Sequence, residues 1–264
     1  MAGKPVLVSD DYNAAFEPET YLSTYYNDPS PNPVVGDMMT FGLTQFHEAF
    51  ASGNIKGRQL LDFGTGPTIH SIISSSQHCE SILLAEFSLK NRDTLKQWHN
   101  GELKHSFAKF IDCVLKLERK EDSVSNREAS MREKVSGIIP CDIRNENPFA
   151  PCFIPSADII TSSLCMEAVA LSIPEYESYS ARLASVLRPG GHLVLFGCVG
   201  GSFYTIGSSR FSSFGMTSSE IQAAWTKAGL EIVTWKEGRR PNPEQKEITD
   251  IDGFFTLVAK KPKA

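Results

Sequence analysis

Residues 60–68 read Leu60-Leu61-Asp62-Phe63-Gly64-Thr65-Gly66-Pro67-Thr68, a short apolar run that breaks into a glycine turn. The pattern predicts a buried strand, a tight turn and the start of a helix. Open α/β sheets bind the nucleoside part of a ligand where a strand ends in such a turn. Because Gly64 and Gly66 lack side chains, backbone N–H groups there can approach a ligand closely. The stretch therefore predicts a nucleoside site, although an ordinary glycine turn would have the same sequence.

The turn departs from the dinucleotide-binding pattern G-x-G-x-x-G, because Ile69 stands where the third glycine belongs. This departure favours a nucleoside that carries no pyrophosphate, and S-adenosylmethionine is the main candidate. An NAD-dependent oxidoreductase is the alternative. Ile69 and the preceding Pro67-Thr68 both count against that alternative.

Composition excludes several classes of protein. The chain has 264 residues, a net charge of −5 and a pI near 5.7, which argues against a general nucleic-acid binder. No apolar run has the length of a membrane span, and residues 1–16 lack the apolar core of a signal peptide. The six cysteines show no C-x-x-C spacing, so neither a metal site nor a disulfide framework is expected. We expect a cytoplasmic protein with no nucleic-acid or membrane partner.

Strand and helix patterns alternate after residue 57. The predicted strands are 59–63, 81–86, 136–141, 157–162, 192–196, 231–235 and 254–259, and the predicted helices are 68–75, 91–98, 174–187 and 218–228. Such alternation is typical of an α/β fold with a mainly parallel, Rossmann-like sheet and helices on both faces. Upstream, Pro18 begins one helix pattern and 38–50 forms another, which predicts an N-terminal helical cap. The charge-dense segment 116–134 predicts a solvated helix face or a mobile loop.

Polar residues follow the predicted strands at the edge where the glycine turn lies. Glu86 ends the second strand, and a carboxylate there can accept hydrogen bonds from both ribose hydroxyls. Asp142 and Ile143 follow the third strand and can pair with an adenine amine and a ring nitrogen. Ser163 and Leu164 follow the fourth strand. Each residue also has an ordinary structural interpretation: a solvent-facing strand end, a turn cap or a core contact.

Several motifs together resemble the nicotinamide / phenylethanolamine / indolethylamine N-methyltransferase family of class I S-adenosylmethionine-dependent methyltransferases. The segments that carry the resemblance are 16–26, 62–69, 141–143, 163–165, 204–207 and 211–213. The similarity extends over nearly the whole chain. It implies a seven-stranded class I methyltransferase sheet in one domain, with a cap and lid over 1–57 and a Rossmann-like core over 58–264.

The resemblance also implies roles for matched positions. The implied cofactor-binding residues are Tyr26, Gly64, Thr65, Gly66, His70, Glu86, Asn91, Asp142, Ile143 and Ser163. The implied substrate-positioning residues are Tyr21, Leu164, Tyr204 and Ser213, together with Asp250 or Asp252 facing an ammonium group. No metal ligand and no certain catalytic residue is implied.

Two positions depart from the family pattern. His70 stands where relatives commonly have a tyrosine at the methionine end, and a histidine can still donate a hydrogen bond. Gly197 stands where nicotinamide methyltransferases carry an aspartate that helps to hold the carboxamide. The resemblance therefore implies a monomeric N-methyltransferase of a small aromatic or heteroaromatic amine. A non-catalytic protein that binds S-adenosylmethionine remains an alternative, because Gly197 cannot hold a carboxamide.

Overall fold

The computed structural model describes residues 6–32, 35–119, 121–240 and 247–263. The strands in chain order are β1 (Val6–Leu7), β2 (Gly57–Phe63), β3 (Cys79–Glu86), β4 (Val135–Pro140), β5 (Ala157–Ser163), β6 (Leu187–Val199), β7 (Phe203–Ile206), β8 (Ser209–Ser212), β9 (Glu231–Arg239) and β10 (Gly253–Lys260). The α-helices are α1 (Tyr12–Ala15), α2 (Pro18–Tyr25), α3 (Met38–Ala51), α4 (Ile72–Ser75), α5 (Leu89–Asn100), α6 (Ala108–Glu118), α7 (Val124–Lys134), α8 (Met166–Val169), α9 (Ile173–Val186) and α10 (Ser218–Lys227). Among these described residues no helix is both long and apolar enough to cross a membrane.

Seven strands form one sheet in the order β4-β3-β2-β5-β6-β10-β9. Neighbouring strands are parallel except that β10 runs antiparallel to both β6 and β9. This confirms the predicted Rossmann-like, seven-stranded α/β class. The strand order reverses between β2 and β5, which opens a crevice at their carboxyl ends, where open α/β sheets bind ligands.

Successive residues of a strand point to opposite faces of the sheet, and both faces are buried. Leu60 packs in the cluster that contains helices α3, α5, α6 and α7. The next residue, Leu61, packs in the cluster that contains α8, α9 and α10. Helices therefore cover both faces, and the helical cap shares its core with the sheet through Leu43 and Phe46 of α3.

A small second sheet, absent from the sequence prediction, has the order β1-β8-β7. β7 and β8 form an antiparallel hairpin, and β1 pairs in parallel with β8 through Val6 and Arg210. Strands of two and four residues are too short to show alternation in a sequence. This sheet places Tyr204 beside the N-terminal segment, since Tyr12 and Tyr204 join hydroxyl to hydroxyl.

One local prediction was wrong. The helix predicted over 68–75 begins only at Ile72. The Thr68 hydroxyl donates to the Thr65 carbonyl at 3.1 Å and lies 3.0 Å from His70 Nδ1, so side-chain bonds hold this segment as a turn.

The charged segment is largely helical, as one of its two predicted forms has it, but one of its charged side chains is buried. It forms α7 and the end of α6, and the Arg127 side chain within it is only 1% exposed. Its guanidinium forms a bidentate ion pair with Glu118, with a 3.0 Å bond from Nη1 and a second contact from Nη2. Charge density alone could not distinguish a buried ion pair from a solvated helix face.

Candidate functional site: two adjoining clefts

A cleft at the carboxyl edge of the sheet encloses about 780 Å³, including its open mouth. We call it the donor cleft. It is lined by the glycine turn, by the residues that follow β3, β4 and β5, and by the N-terminal segment from Ser9 to Tyr26. All ten residues with implied cofactor-binding roles line it. The structure thus gathers side chains that are far apart in sequence around one space.

The glycine turn is held against the neighbouring strand by its backbone. The N–H groups of Gly64 and Thr65 donate to the Ala85 carbonyl at 2.8 and 3.2 Å. Gly64 has a φ of +66°, and a Cβ there would lie 2.1 Å from Cys165 Sγ. Gly66 has a φ of +65°, and no described atom lies within 4 Å of a Cβ placed on it. The turn therefore leaves an open cradle that a side chain would fill.

Glu86 is buried at the floor of this cradle. It accepts hydrogen bonds from the backbone N–H groups of Gly66 at 2.8 Å and Ser88 at 2.9 Å, and from Asn91 Nδ2 at 3.0 Å. Burial raises the pKa of Glu86 above its ordinary value, and the bonds from Ser88, Asn91 and Gly66 partly offset this. Asn91 Oδ1 is buried with no hydrogen-bond partner among the described residues. A carboxylate and an orphaned amide oxygen side by side fit a ligand with neighbouring hydroxyls, such as a ribose.

His70 links the glycine turn to the end of β5. Its Nε2 lies 2.6 Å from the Ser163 hydroxyl, and its Nδ1 lies 3.0 Å from the Thr68 hydroxyl. Burial lowers the pKa of His70 to about 3, so the imidazole is neutral at physiological pH. The Tyr26 ring lies 5.1 Å from the His70 ring. Neutral polar groups thus line this end of the donor cleft, opposite the end that holds Asp142.

Asp142 and Ile143 form the other end of the donor cleft. The Asp142 carboxylate accepts from Arg144 Nε at 2.8 Å and from Nη2 at 2.7 Å. Burial opposes ionisation of Asp142, but the hydrogen bonds from Arg144 outweigh it and hold the pKa below its ordinary value. Asp142 therefore remains an ionised hydrogen-bond acceptor.

A second cleft adjoins the first, and we call it the acceptor cleft. It is lined by Tyr21, Tyr25, Val35, Met38, Met39, Leu164, Glu167, Ala168, Cys198, Tyr204, Ser213, Thr249 and Ile251. Tyr21, Leu164, Ala168 and Tyr204 line both clefts. Leu164 has a φ of +52°, which is rare for a residue with a side chain and indicates local strain at the junction. The predicted substrate residues Tyr21, Leu164, Tyr204 and Ser213 all lie here.

Asp250 and Asp252 line neither cleft of the described structure. Asp250 accepts from the backbone N–H of Ser202 at 2.6 Å and from that of Phe203 at 3.1 Å. Asp252 lies against Gly200. In this extended segment alternate residues face opposite ways, so Thr249 and Ile251 point into the acceptor cleft instead.

Glu167 is the one acidic side chain among the described residues that line the acceptor cleft, and the sequence pattern did not predict it. It is the second residue of helix α8, only 6% of it is exposed, and its Oε1 accepts from the Cys198 backbone N–H at 2.9 Å. Burial raises the pKa of Glu167 to about 7, against hydrogen bonds from its own backbone and from Cys198. Its position one turn after Ser163-Leu164, at the carboxyl end of β5, was the available signal. A carboxyl with this pKa can accept a proton near neutral pH.

Comparisons with known proteins agree with this arrangement. The model of the NNMT/PNMT/TEMT family matches residues 4–262. Indolethylamine N-methyltransferase of Oryctolagus cuniculus is 31% identical over 84% of this chain and 85% of its own length. Nicotinamide N-methyltransferase of Homo sapiens is 29% identical over 96% and 95%. Phenylethanolamine N-methyltransferase of Macaca mulatta is 30% identical over 93% and 89%.

Solved structures share the fold at low sequence identity. Magnesium protoporphyrin IX methyltransferase from Synechocystis, solved with bound S-adenosylmethionine, has a TM-score of 0.56 and 12% identity, covering 96% of this chain and 94% of that one. The [4+2]-cyclase SpnF has a TM-score of 0.60 and 14% identity, covering both chains fully. Because a cyclase and a methyltransferase share the architecture, the fold does not by itself fix the reaction.

Proposed function

Because this chain belongs to the NNMT/PNMT/TEMT family, we propose that it transfers a methyl group from S-adenosylmethionine to the nitrogen of a small arylalkylamine. The family and its relatives make the chain an S-adenosylmethionine-dependent N-methyltransferase. The choice of an amine with an aromatic ring is our proposal. The observation that carries it is Glu167, the buried carboxyl of the acceptor cleft.

The donor cleft has the polar groups that S-adenosylmethionine requires. Glu86 and the orphaned Oδ1 of Asn91 would hold the ribose hydroxyls, and Asp142 with Ile143 would hold the base. Tyr26, His70 and Ser163 lie at the far end of the cleft, where we place the methionine part. When bound, S-adenosylmethionine supplies a methyl group on a positively charged sulfur.

The acceptor cleft favours an amine over a carboxamide. Gly197 replaces the aspartate of nicotinamide methyltransferases and pairs directly with Phe255 across β6 and β10. A Cβ on Gly197 would lie 2.7 Å from the Phe255 ring and 3.2 Å from Glu167 Oε1. Trp235 stacks on Phe255 with ring centroids 4.6 Å apart, which holds that ring in place. This chain therefore presents its acidic group from helix α8, where a protonated amine can pair with it.

The rest of the acceptor cleft is mostly apolar and aromatic, with Ser213 and Thr249 as its polar exceptions, which suits the ring of an arylalkylamine. Tyr21 and Tyr204 line the junction, and Met38 and Met39 line the cap side. Methionine side chains adapt to flat aromatic groups, and aromatic rings attract cations. An acceptor with a ring and a short aminoalkyl arm would contact all of these groups.

Methylation requires a neutral, aligned nitrogen, so an alkylamine must first lose a proton. Glu167 has a pKa near 7 and can accept that proton at working pH. Holding donor and acceptor together in the correct orientation can account for about 7–11 kcal/mol of the barrier. The residues of the chain thus have three tasks: to align the amine, to take its proton and to exclude water.

The test uses labelled S-adenosylmethionine with a panel of tryptamine, phenylethanolamine, nicotinamide and a thioether. We expect transfer to the two arylalkylamines, with the rate rising as pH passes 7. Glu167→Gln should lower kcat/KM for them by at least ten-fold, while the affinity for S-adenosylhomocysteine stays within two-fold of wild type. Glu231→Gln, which neutralises an exposed glutamate outside both clefts, is the matched control.

Other outcomes separate the competing functions. Transfer to nicotinamide alone, or to oxygen or carbon acceptors alone, would refute the proposed acceptor class. Binding of S-adenosylmethionine without transfer to any acceptor would favour a non-catalytic binding protein. Binding of NADH in place of S-adenosylmethionine would favour an oxidoreductase. Tyr21→Ala should weaken acceptor use more than donor binding, because the family resemblance implies that Tyr21 lies over the acceptor, although it lines both clefts.

We also propose that the protein works as a monomer in the cytoplasm. Light scattering coupled to size exclusion, and fractionation of cells that express a tagged chain, test these two statements. A stable dimer would contradict the first of them, and recovery in the membrane or organelle fraction would contradict the second.

A further inference from the structure

Arg144 spans two separate segments of the donor cleft with one guanidinium group. On one side it binds both carboxylate oxygens of Asp142, at 2.8 and 2.7 Å. On the other side its Nη1 contacts the Asp10 carboxylate and lies 3.4 Å from the Ser9 hydroxyl. Asp142 and Ser9 both line the donor cleft, as Arg144 does. One side chain therefore connects the base-binding loop with the N-terminal segment.

The hydrogen bonds from Arg144 to Asp142 fix the orientation of the Asp142 carboxylate. The two nitrogens of Arg144 occupy one lone pair on each oxygen, and the Arg144 backbone N–H adds a 3.0 Å bond to Oδ1. A planar fork of this kind sets the plane of a carboxylate, which a single point charge cannot do. Three of the four lone pairs are thus occupied, and the one left, on Oδ2, is available to a donor in the cleft, such as the exocyclic amine of an adenine.

Arg144 is itself held from the core side. Its guanidinium carbon lies 5.2 Å from the centre of the Phe87 ring. Arg182 Nη1 donates to the Ile143 carbonyl at 2.9 Å and to the Arg144 carbonyl at 3.1 Å, which anchors the backbone of the loop. The fork is therefore positioned before any ligand arrives.

The arm towards Asp10 fastens what we call the strap, residues 9–17. The strap carries Tyr12 and Phe16 into the wall of the donor cleft. Other contacts hold the strap elsewhere. The Tyr12 hydroxyl meets that of Tyr204, and Asn13 Oδ1 accepts from the Leu89 backbone N–H at 3.0 Å. Lys90 binds Glu17 at 2.7 Å and the Ala14 carbonyl at 3.2 Å. The Asp10 side chain is 77% exposed, so solvent screens its pairing with Arg144.

We propose that Arg144 is a positioning residue for the methyl donor, which aims Asp142 at the exocyclic amine of the base and ties the strap over that end of the cleft. The proposal rests on the proposed function, because it takes the occupant of the donor cleft to be S-adenosylmethionine. It assigns two separable effects to one side chain: selectivity for the base, through Asp142, and retention of the bound donor, through Asp10.

The experiment compares the binding of S-adenosylhomocysteine and S-inosylhomocysteine by calorimetry. The inosyl compound has an oxygen in place of the exocyclic amine, so it cannot donate to Asp142. Wild type should prefer the adenosyl compound. Arg144→Gln should reduce this preference about ten-fold, since a hydrogen bond to a charged group contributes about 1.5–3 kcal/mol. Arg144→Lys keeps the charge but loses the fork, and the preference should fall by a similar factor.

Asp10→Asn removes the charge that pairs with Arg144 from the strap and leaves the contacts of Arg144 with Asp142 in place. It should raise the dissociation rate of both compounds equally, by about two- to five-fold, and leave the preference between them intact, because exposed ion pairs contribute about 0.2–1 kcal/mol. The increase should disappear near 0.5 M salt, where such pairs are screened. Asp93→Asn removes the same charge from a surface pair with Lys96 on α5 and should change neither quantity.

The possible results test the role of Arg144 separately from the proposed methyltransferase function. An unchanged base preference in both Arg144 variants overturns the assignment, as does an unchanged dissociation rate in Asp10→Asn. If Arg144→Gln does not fold, the base preference of Arg144→Lys provides the same test. If wild type binds neither compound, the proposed function itself fails. If wild type binds and transfers methyl groups while the variants behave as wild type, only this inference fails.

Discussion

Glu167 Oε1 accepts a 2.9 Å hydrogen bond from the backbone N–H of Cys198, so a carboxyl from α8 rests against β6 beside Gly197. Burial raises its pKa from 4.5 to about 7, which means that the folded protein binds this proton more tightly than the unfolded chain. The resulting stability is fully present below about pH 4.5 and is lost as pH rises through about 7.

We therefore expect the free energy of unfolding of the ligand-free wild type to fall, relative to that of Glu167→Gln, by up to about 3 kcal/mol between pH 4.5 and 8. Urea denaturation across this range measures the difference. Glu231→Gln should follow the wild-type curve. Parallel curves for wild type and Glu167→Gln would show that the pKa of Glu167 is not raised on folding.

Glu86→Gln should weaken donor binding about 10- to 150-fold, because hydrogen bonds to a charged acceptor contribute about 1.5–3 kcal/mol. The glutamine also brings an amide N–H group towards the N–H groups of Gly66 and Ser88, which now donate to the carboxylate. Calorimetry with S-adenosylhomocysteine measures the loss. Glu80→Gln, at the opposite, exposed end of the same strand, is the control and should bind as wild type does. Equal affinities for both variants would remove Glu86 from the donor site.

His70 should remain neutral across the physiological pH range, because burial lowers its pKa to about 3. Its ring signals in NMR, assigned by their loss in His70→Phe, should not shift between pH 5 and 8. The same variant leaves the Ser163 and Thr68 hydroxyls without their 2.6 and 3.0 Å contacts, and we expect it to cost about 1–3 kcal/mol of unfolding free energy. A titration midpoint near pH 6.5 would contradict the buried, neutral assignment.

The sequence predicted what depends on order along the chain. The glycine turn, Glu86 and Asp142 each follow a strand, and parallel strands of one sheet bring their carboxyl ends together. The seven strands and the cap helix 38–50 were confirmed for the same reason, since each has a long apolar pattern of its own. The roles of these residues in binding a cofactor stay predictions.

What the sequence could not predict depends on which way a side chain points. The resemblance implies Asp250 or Asp252 as the acidic residue that faces the acceptor. Side chains alternate in that segment, however, so Thr249 and Ile251 line the acceptor cleft instead. Glu167 was overlooked because a glutamate at the start of a short helix is ordinarily solvated. The charge density of 116–134 likewise does not reveal that Arg127 is buried with a partner nine residues away.

Arg127→Met should cost about 3–5 kcal/mol of unfolding free energy, because it removes the buried cation of the bidentate pair with Glu118. Arg127→Met combined with Glu118→Leu should recover much of the loss, since two apolar groups of similar size need no partner. Urea denaturation of both variants provides the comparison. Lys116→Met, which breaks the exposed pair with Asp112, should change stability by less than about 1 kcal/mol. If Arg127→Met alone proves as stable as Lys116→Met, the result would contradict the buried ion pair between Arg127 and Glu118.

Gly197→Asp tests whether Phe255 fixes the chemistry of the acceptor cleft. The new Cβ would lie 2.7 Å from a ring that Trp235 holds in place, and overpacking of this kind costs about 1–3 kcal/mol. The added carboxylate would also repel Glu167, whose Oε1 lies 3.2 Å from the same Cβ position. We therefore expect a less stable protein that gains no transfer to nicotinamide. Combining the change with Phe255→Leu should restore part of the stability, because the smaller side chain vacates the space. A stable single variant that methylates nicotinamide would show instead that residue 197 alone selects the acceptor and that the Phe255 ring does not.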